Sequence, residues 1–315
     1  MKESKPFVIA VAGPTASGKS ALAMELCRRH AGELVSCDSM QIYRHMDIGT
    51  AKPTAAERAE IPHHLIDICE PTEDFSAAAF AALAADVIRD ITERGKLPVL
   101  CGGTGLYLDS VLRGIDFGEM EPDPVLRERL WKTAEKKGAL FLHQMLQKAD
   151  PEAAQSIHPN NIKRVVRALE ICTLSGMTKT EWDKAALRKE SPYHATVIAL
   201  DYRNRDILYE RIDNRVEKML SDGLETEVRT LLSENALKPN TTAACAIGYK
   251  ELIAYFNGDI SLEQATENMK SATRHYAKRQ LTWFRRNPDI RWLYPDDYPD
   301  AESLIEAAEA VISKS

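Results

Sequence analysis

The 315-residue chain has no apolar run approaching the roughly 18 residues that suggest a membrane span. Its first apolar run, Phe7–Ala12, is short and enters a glycine loop rather than a cleavage site. We therefore expect neither a signal peptide nor an Arg-rich leader. CxxC pairs are missing as well. The six cysteines, Cys27, Cys37, Cys69, Cys101, Cys172 and Cys245, stand apart and mostly inside apolar segments. That pattern points to buried thiols in a reducing compartment and away from a zinc site. Internal repeats and low-complexity tracts are absent. So is any surplus of positive charge: 41 Lys and Arg face 47 Asp and Glu, a net charge of −6. Averaged over the surface, such a field repels nucleic acid, so nucleic-acid binding would need local basic faces. A cytoplasmic protein with no membrane partner and no evident obligate protein partner is the expectation.

Composition is ordinary for a globular chain, with 44% apolar and 28% charged residues. Apolar runs at residues 7–12, 33–37, 97–101, 196–200 and 290–293 read as buried strands. Amphipathic segments read as helices at 19–27, from an N-cap at Ser76 to about 94, and at 205–221, 224–234, 246–256, 261–286 and 300–313. Strands alternating with helices imply a parallel sheet covered on both faces. Between about 115 and 190 no strand candidate appears, and helices are expected at 125–137, 139–149 and 159–175. Glu121-Pro-Asp-Pro124 punctuates the start of that stretch. The expected fold is α/β: a P-loop kinase-like parallel sheet flanked by helices, with an all-helical insertion. The core would span 1–115 and 190–315, and the insertion 116–189.

Gly13-Pro14-Thr15-Ala16-Ser17-Gly18-Lys19-Ser20 follows the first strand and opens a helix. Glycines there let successive N–H groups face one anion, and the helix N-terminus adds a favourable dipole. Lys19 supplies a point charge, and the Ser20 hydroxyl suits Mg²⁺. This ATP-binding signature does not fix the chemistry. An Asn-Lys-x-Asp guanine signature is missing, and no strand ends in an obvious metal-holding acid. A kinase of small molecules is one open reading, and an RNA-binding switch gated by nucleotide is another.

Carboxyl ends of parallel strands line a ligand crevice. Asp38 follows the second strand and should face Lys19 there. It could cap the next segment with Ser39, help hold Mg²⁺, or accept a proton from a nucleophile. Gly102-Gly103-Thr104-Gly105 ends the third strand and serves either as a tight turn or for close approach of substrate. Arg211 and Arg215, four apart on a helix, could reach phosphates as lid arginines do, or pair with Glu210 and Asp213. His63-His64 and His158-Pro159 lack a third ligand at usable spacing and read as turn or surface residues.

Two basic faces stand out. Residues 161–189 carry seven Lys and Arg (Lys163, Arg164, Arg167, Lys179, Lys184, Arg188, Lys189) against three acids. Residues 270–286 carry six and no acid, interleaved with His275, Tyr276, Trp283 and Phe284. Cations mixed with aromatics suit phosphates and unstacked bases.

Five stretches carry a family resemblance in the family's order: GPTASGKS, DSMQIYRHMDIGTAKP (38–53), CGGTGLY (101–107), HPNNIKRVVRALE (158–170) and YAKRQLTWFR (276–285). Together they resemble the bacterial tRNA dimethylallyltransferases, also called tRNA isopentenyltransferases, over nearly the whole chain. The first stretch is generic; the second and last are specific. The resemblance implies transfer of a dimethylallyl group from dimethylallyl diphosphate to N6 of the adenosine at position 37 of tRNA, beside the anticodon, with diphosphate leaving. It implies Mg²⁺ as the metal, at Ser20, and Asp38, Thr15 and Lys19 as catalytic residues. Gly13 to Ser20 would bind diphosphate with Arg211 and Arg215. The family's contacts to the anticodon stem-loop map onto Asp38, Ser39, Met40, Gln41, Thr104, Arg127, Lys163, Arg164, Val165, Val166, Arg167, Cys245, Gly248, Lys250, Lys278, Arg279, Gln280, Trp283 and Arg285. Unlike some eukaryotic members, the sequence shows no C-terminal Cys/His set for a zinc finger.

Overall fold

The computed structural model describes residues 5–115, 123–186, 190–239 and 241–314. In chain order the elements are β1 (Phe7–Ala12), α1 (Lys19–His30), β2 (Gly32–Ser36), α2 (Ala55–Glu60), β3 (His63–His64), α3 (Ala77–Glu93), β4 (Leu97–Gly102) and α4 (Gly105–Leu112). They continue with α5 (Pro124–Lys137), α6 (Ala139–Ala149), α7 (Pro151–Ser156), α8 (Ile162–Ser175) and α9 (Lys179–Ala186). The chain then returns through β5 (His194–Leu200), α10 (Arg205–Ser221), α11 (Leu224–Ser233), α12 (Tyr249–Phe256), α13 (Leu262–Phe284), β6 (Arg291–Leu293) and α14 (Ala301–Ile312). Two compact units result: residues 1–112 with 192–315, and residues 113–191.

The first unit is built on one parallel sheet of order β3-β2-β4-β1-β5-β6. Its central strands are apolar throughout because both faces are covered. In β1, Val8, Ala10 and Ala12 face a layer containing Phe80, Ala84 and Ile88 of α3. Ile9 and Val11 face the opposite layer, which contains Leu22, Leu26 and, from α14, Ala308. This is the period-2 alternation of a strand buried on two sides. A third core, around Tyr43, Met46, Val228, Tyr249 and Met269, packs residues 40–48 against α11, α12 and α13.

Register brings the strand ends together. Ala12 pairs with Gly102 and with Ala199, and Ser36 pairs with Cys101. The segments that follow β1, β2, β4 and β5 therefore start at one edge. Glycine is required where they touch. A Cβ on Gly102 would lie 2.2 Å from the Cys37 carbonyl oxygen, and one on Gly13 2.8 Å from that of Leu200.

The second unit has its own core: Leu126, Leu130, Leu142, Leu146, Val165 and Leu169 from α5, α6 and α8. Asp123, Asp150 and Asn161 cap the N-termini of α5, α7 and α8 through their side chains. Buried Asp150 also accepts from Thr180 N at 2.8 Å, fixing the start of α9. Among the described residues this unit is all-helical. The helix expected from 159 begins later, at Ile162, where Asn161 caps it. Residues 116–122, with the start of the Glu121-Pro-Asp-Pro124 signal, and Arg188 and Lys189 lie outside the described residues.

Candidate active site

The phosphate loop joins β1 to α1. Ala16 and Gly18 adopt positive φ, 62° and 93°, giving the loop its reversals. No side chain caps the start of α1. Its first-turn N–H groups and dipole thus face the loop without a built-in anion. Ser17 Oγ is fully buried and has no hydrogen-bond partner among the described residues, so the loop retains an unspent polar atom. Lys19 Nζ donates to the Pro14 carbonyl at 3.1 Å. Burial lowers the Lys19 pKa from its usual value, as does nearby Arg215 to a lesser extent, while Cys101 and Asp38 oppose the shift. A desolvated lysine of this kind gains strongly from a bound polyanion.

Asp38 sits where β2 ends. Its Oδ1 accepts from Met40 N at 2.9 Å, forming a local turn. Its charge reaches Lys19 and the half-buried Arg215, whose pKa burial lowers and Asp38 supports. Asp38 also acts on Tyr276, which burial first and Asp38 second push up to about 12, keeping the phenol neutral. Two cations, one carboxylate and a neutral phenol thus share the strand-end crevice.

Arg211 lies one turn before Arg215 on α10. Its Nε donates to the Ala16 carbonyl at 2.9 Å, and its guanidinium lies 5.6 Å from the Tyr202 ring centroid. Of the two readings open from sequence, Arg211 meets the phosphate loop rather than Glu210 or Asp213. Asp213 is taken instead by Arg274 Nη1, at 2.7 and 2.8 Å.

The second glycine loop is more than a turn. Thr104 Oγ1 accepts from Ser39 N at 3.0 Å and donates to Ser39 Oγ at 3.2 Å. Tyr276 reaches the neighbourhood of Thr104 from α13. A Cβ on Gly103 would fall 2.0 Å from Gln280 Nε2, and one on Gly105 2.2 Å from the Trp283 ring. Trp283 Nε1 donates to Asp109 Oδ2 at 2.9 Å. Helix α13 is therefore pressed against both glycine loops.

Comparison with known proteins places the chain in a family. A family model described as IPP transferase matches residues 41–287. The tRNA dimethylallyltransferase of Caldanaerobacter subterraneus subsp. tengcongensis is 47% identical over 300 residues, 95% of each chain. The tRNA isopentenylpyrophosphate transferase of Bacillus halodurans superposes with a TM-score of 0.73 at 42% identity, covering 99% of this chain and 97% of that one. A eukaryotic dimethylallyltransferase acting on tRNA superposes with a TM-score of 0.81 at 30% identity, covering 98% and 80%.

The chain belongs to the IPP transferase family.

Several expected RNA contacts have other duties in the first unit. The Gln41 amide accepts from Ser36 Oγ at 2.8 Å and donates to the Thr50 and Ala51 carbonyls at 3.3 and 3.1 Å. It shapes its own loop. Ser39 and Met40 lie half-buried beside it. Gly248 is buried and, at φ 96°, precedes α12, whereas Cys245 and Lys250 are exposed. Arg285 Nη2 donates to the buried Asp201 at 2.9 Å. Lys270 pairs with Glu217 at 2.9 Å and with Glu267 at 3.2 Å. Part of the α13 basic stripe therefore ties α13 to its neighbours, while Lys278 and Arg279 stay exposed, Arg279 5.5 Å from the Tyr276 ring.

The second unit brings one correction. Val165 and Val166 are 0% and 3% exposed and pack in the helical core, because they occupy the apolar face of α8. They offer RNA no side chain. Lys163 and Arg164 are exposed on the same helix. Arg127 and Arg167 both pair with the buried Glu170: Arg127 Nε at 2.7 Å and Nη2 at 3.0 Å, Arg167 Nη1 at 2.5 Å. Each arginine nevertheless stays 40% exposed, so one carboxylate fans two guanidinium groups toward solvent.

His63 and His64 form the short β3. His63 Nδ1 lies 2.7 Å from the Ile61 carbonyl, and His64 Nε2 2.7 Å from Glu33. Among the described residues no cluster of three His, Cys, Asp or Glu could hold a metal, and no helix is long and apolar enough to cross a membrane. Two residues that matter to the site drew no assignment from sequence. Tyr276 was visible only as an aromatic among cations. Glu227 accepts from Asp47 N, Ile48 N and Gly49 N and from Tyr249 Oη at 2.6–3.2 Å, fixing the loop beyond Asp38, and it carried no motif signal at all.

Proposed function

We propose that this protein transfers the dimethylallyl group of dimethylallyl diphosphate to N6 of the adenosine at position 37 of tRNA, releasing diphosphate. One observation carries the reading beyond family membership: the carboxylate of Asp38 shares one crevice with the cations Lys19 and Arg215 at the phosphate loop. A carboxylate set against a bound anion is unfavourable unless it helps hold a metal or takes a proton. Prenyl transfer to an amine uses it in the second way, to take a proton beside the leaving diphosphate.

The adenine amine is a weak nucleophile because its lone pair is delocalised into the ring. Asp38 accepts the N6 proton as the N–C bond forms and the C–O bond to diphosphate breaks. Charge then builds on the departing oxygens. Lys19, Arg215 and the N–H groups at the start of α1 stabilise it, and more strongly in the transition state than before it. Thr15 sits in the same loop, beside the leaving group. Arg211 keeps Ala16 in its left-handed conformation through the 2.9 Å bond, acting on the loop rather than on the ligand directly.

Mg²⁺ fits this donor set. Ser20 is exposed on the first turn of α1, and the ion needs few protein ligands when phosphates and waters complete its shell. Ser20 would hold it, and when bound it would offset charge on the diphosphate.

To reach Asp38 the adenosine leaves the anticodon-loop stack. The exposed cations Lys278, Arg279, Lys163 and Arg164 supply the phosphate contacts that an overall acidic protein needs for a polyanion. The test is direct. Incubating the protein with Mg²⁺, dimethylallyl diphosphate and unmodified tRNA should yield N6-dimethylallyladenosine in the digested RNA. No product from folded protein that binds both substrates would sink the reading.

A further inference from the structure

One side chain links the phosphate loop to the turn that carries Asp38. Gln280, on α13, is 6% exposed. Its Oε1 accepts from Thr15 N at 2.9 Å, and its Nε2 donates to the Gly103 carbonyl at 2.9 Å. A single amide therefore spans the two glycine loops. The connection continues: Thr104, next to Gly103, bonds Ser39 at 3.0 and 3.2 Å, and Ser39 adjoins Asp38. Tyr276, one turn earlier on the same helix, lies beside both Thr104 and Gln280. Ala277 and Leu281, 1% and 3% exposed, anchor this stretch of α13 in the core, so the amide is held from behind.

We propose that Gln280 is a positioning residue that sets the separation between the leaving-group loop at Thr15 and the acceptor side at Gly103, Thr104 and Asp38. The proposal rests on the prenyl-transfer reading, in which that separation fixes how carbon, amine and departing oxygen line up. The chemistry of the bridge demands an amide. One end must accept from an N–H and the other must donate to a carbonyl. A glutamate would place a carboxylate against the Gly103 carbonyl, and an asparagine is one methylene short. The fit is mutual, because a Cβ on Gly103 would lie 2.0 Å from Gln280 Nε2. The amide and the bare glycine form one contact.

That mutual fit supplies a test that a general packing role would not pass. In the full chain, Gln280→Ala and Gly103→Ala should each lower kcat by about 10²-fold, the scale of a roughly 1 Å misplacement. KM for tRNA should stay within about twofold in both, since the exposed cations of α13 are untouched. Shortening Gln280 removes the group with which a Cβ on Gly103 collides. The double variant should therefore fall within about threefold of Gln280→Ala, not at the ~10⁴-fold product expected of independent sites. Gln280→Glu, nearly isosteric, keeps the acceptor for Thr15 and loses the donor to Gly103; its kcat, read on folded protein well below the variant's own melting transition, should fall with that of Gln280→Ala. Inorganic diphosphate binding by calorimetry gives an arm independent of turnover, and Gln280→Glu should weaken it about tenfold. Additive losses in the double variant, a kcat of Gln280→Glu within threefold of wild type, or unaltered diphosphate binding would each overturn the proposal. A wild-type chain that makes no prenylated adenosine would instead overturn the reading of function, and the diphosphate arm would still decide the bridge.

Discussion

Asp38→Asn separates proton transfer from everything else the crevice does. Asparagine keeps an Oδ1 that can accept from Met40 N, so the turn closed by the 2.9 Å bond should survive. What it loses is basicity and charge. General-base catalysis contributes typically 10²- to 10⁴-fold, which corresponds to about 2.7–5.4 kcal/mol of barrier. The expected fall in kcat lies in that range.

The lost charge has the opposite effect on the ground state. Asp38 supports the charged forms of Lys19 and Arg215, but it also repels any diphosphate those cations bind. Removing one such repulsion is worth on the order of 1 kcal/mol where water fills the crevice, the value for unit charges about 4 Å apart at the dielectric of bulk water. Inorganic diphosphate should therefore bind Asp38→Asn as tightly as wild type, or up to about tenfold more tightly. Single-turnover assays with radiolabelled dimethylallyl diphosphate and tRNA give the rate, and calorimetry gives the affinity. A rate within tenfold of wild type would refute the base assignment. A large loss of diphosphate affinity would show instead that the carboxylate holds the anion site together.

If Lys163 and Arg164 meet RNA phosphates, changing both to Gln should flatten the slope of log affinity against log salt by about 1.4–1.8, and an unchanged slope in filter binding removes them from the interface. Glu33 is lowered to about 2, chiefly by hydrogen bonding to Arg94, with burial opposing and His64 assisting. Its folded value lies below its unfolded one, so its contribution is complete above about pH 4.5 and is lost as pH falls toward 2. Allowing for the half-exposed Arg94, Glu33→Gln should cost about 2 kcal/mol in urea melts at pH 7 and almost nothing near pH 2. Gly49→Ala would put a Cβ 2.5 Å from the buried Tyr249 ring, and a loss of roughly 1–3 kcal/mol in the same melts is expected.

Most of the sheet was legible because its central strands β1 and β4 are buried on both faces and read as apolar runs, with β2 and β5 nearly so. β3 was not: it is two histidines, whose pairing with Leu34 and Val35 follows from the neighbouring strand and not from their own pattern. Helix α4 was hidden for a related reason. It begins at Gly105, a poor helix former that stays glycine because Trp283 from α13 occupies the space of its Cβ. A contact with a residue some 180 positions away cannot be read from local propensity.

Charge was legible as composition but not as commitment. Residues 270–286 hold six cations and no acid, yet three of the six answer acids elsewhere: Lys270 to Glu217 and Glu267, Arg274 to Asp213, and Arg285 to Asp201. The acids that neutralise the stripe lie mainly on or before α10, outside any sequence window drawn around it. The same reasoning explains Val165 and Val166, which share a basic segment with Lys163 and Arg164 but follow the apolar period of α8 into the core. A helix has one face for each duty, and a stretch of sequence does not say which residues share one. Where a basic helix is pinned this thoroughly, the backbone that carries the remaining exposed cations, Lys278 and Arg279 with Arg286 just beyond its end, is set before RNA arrives. Loss of an anchor such as Asp213 should then act on RNA affinity as well as on stability.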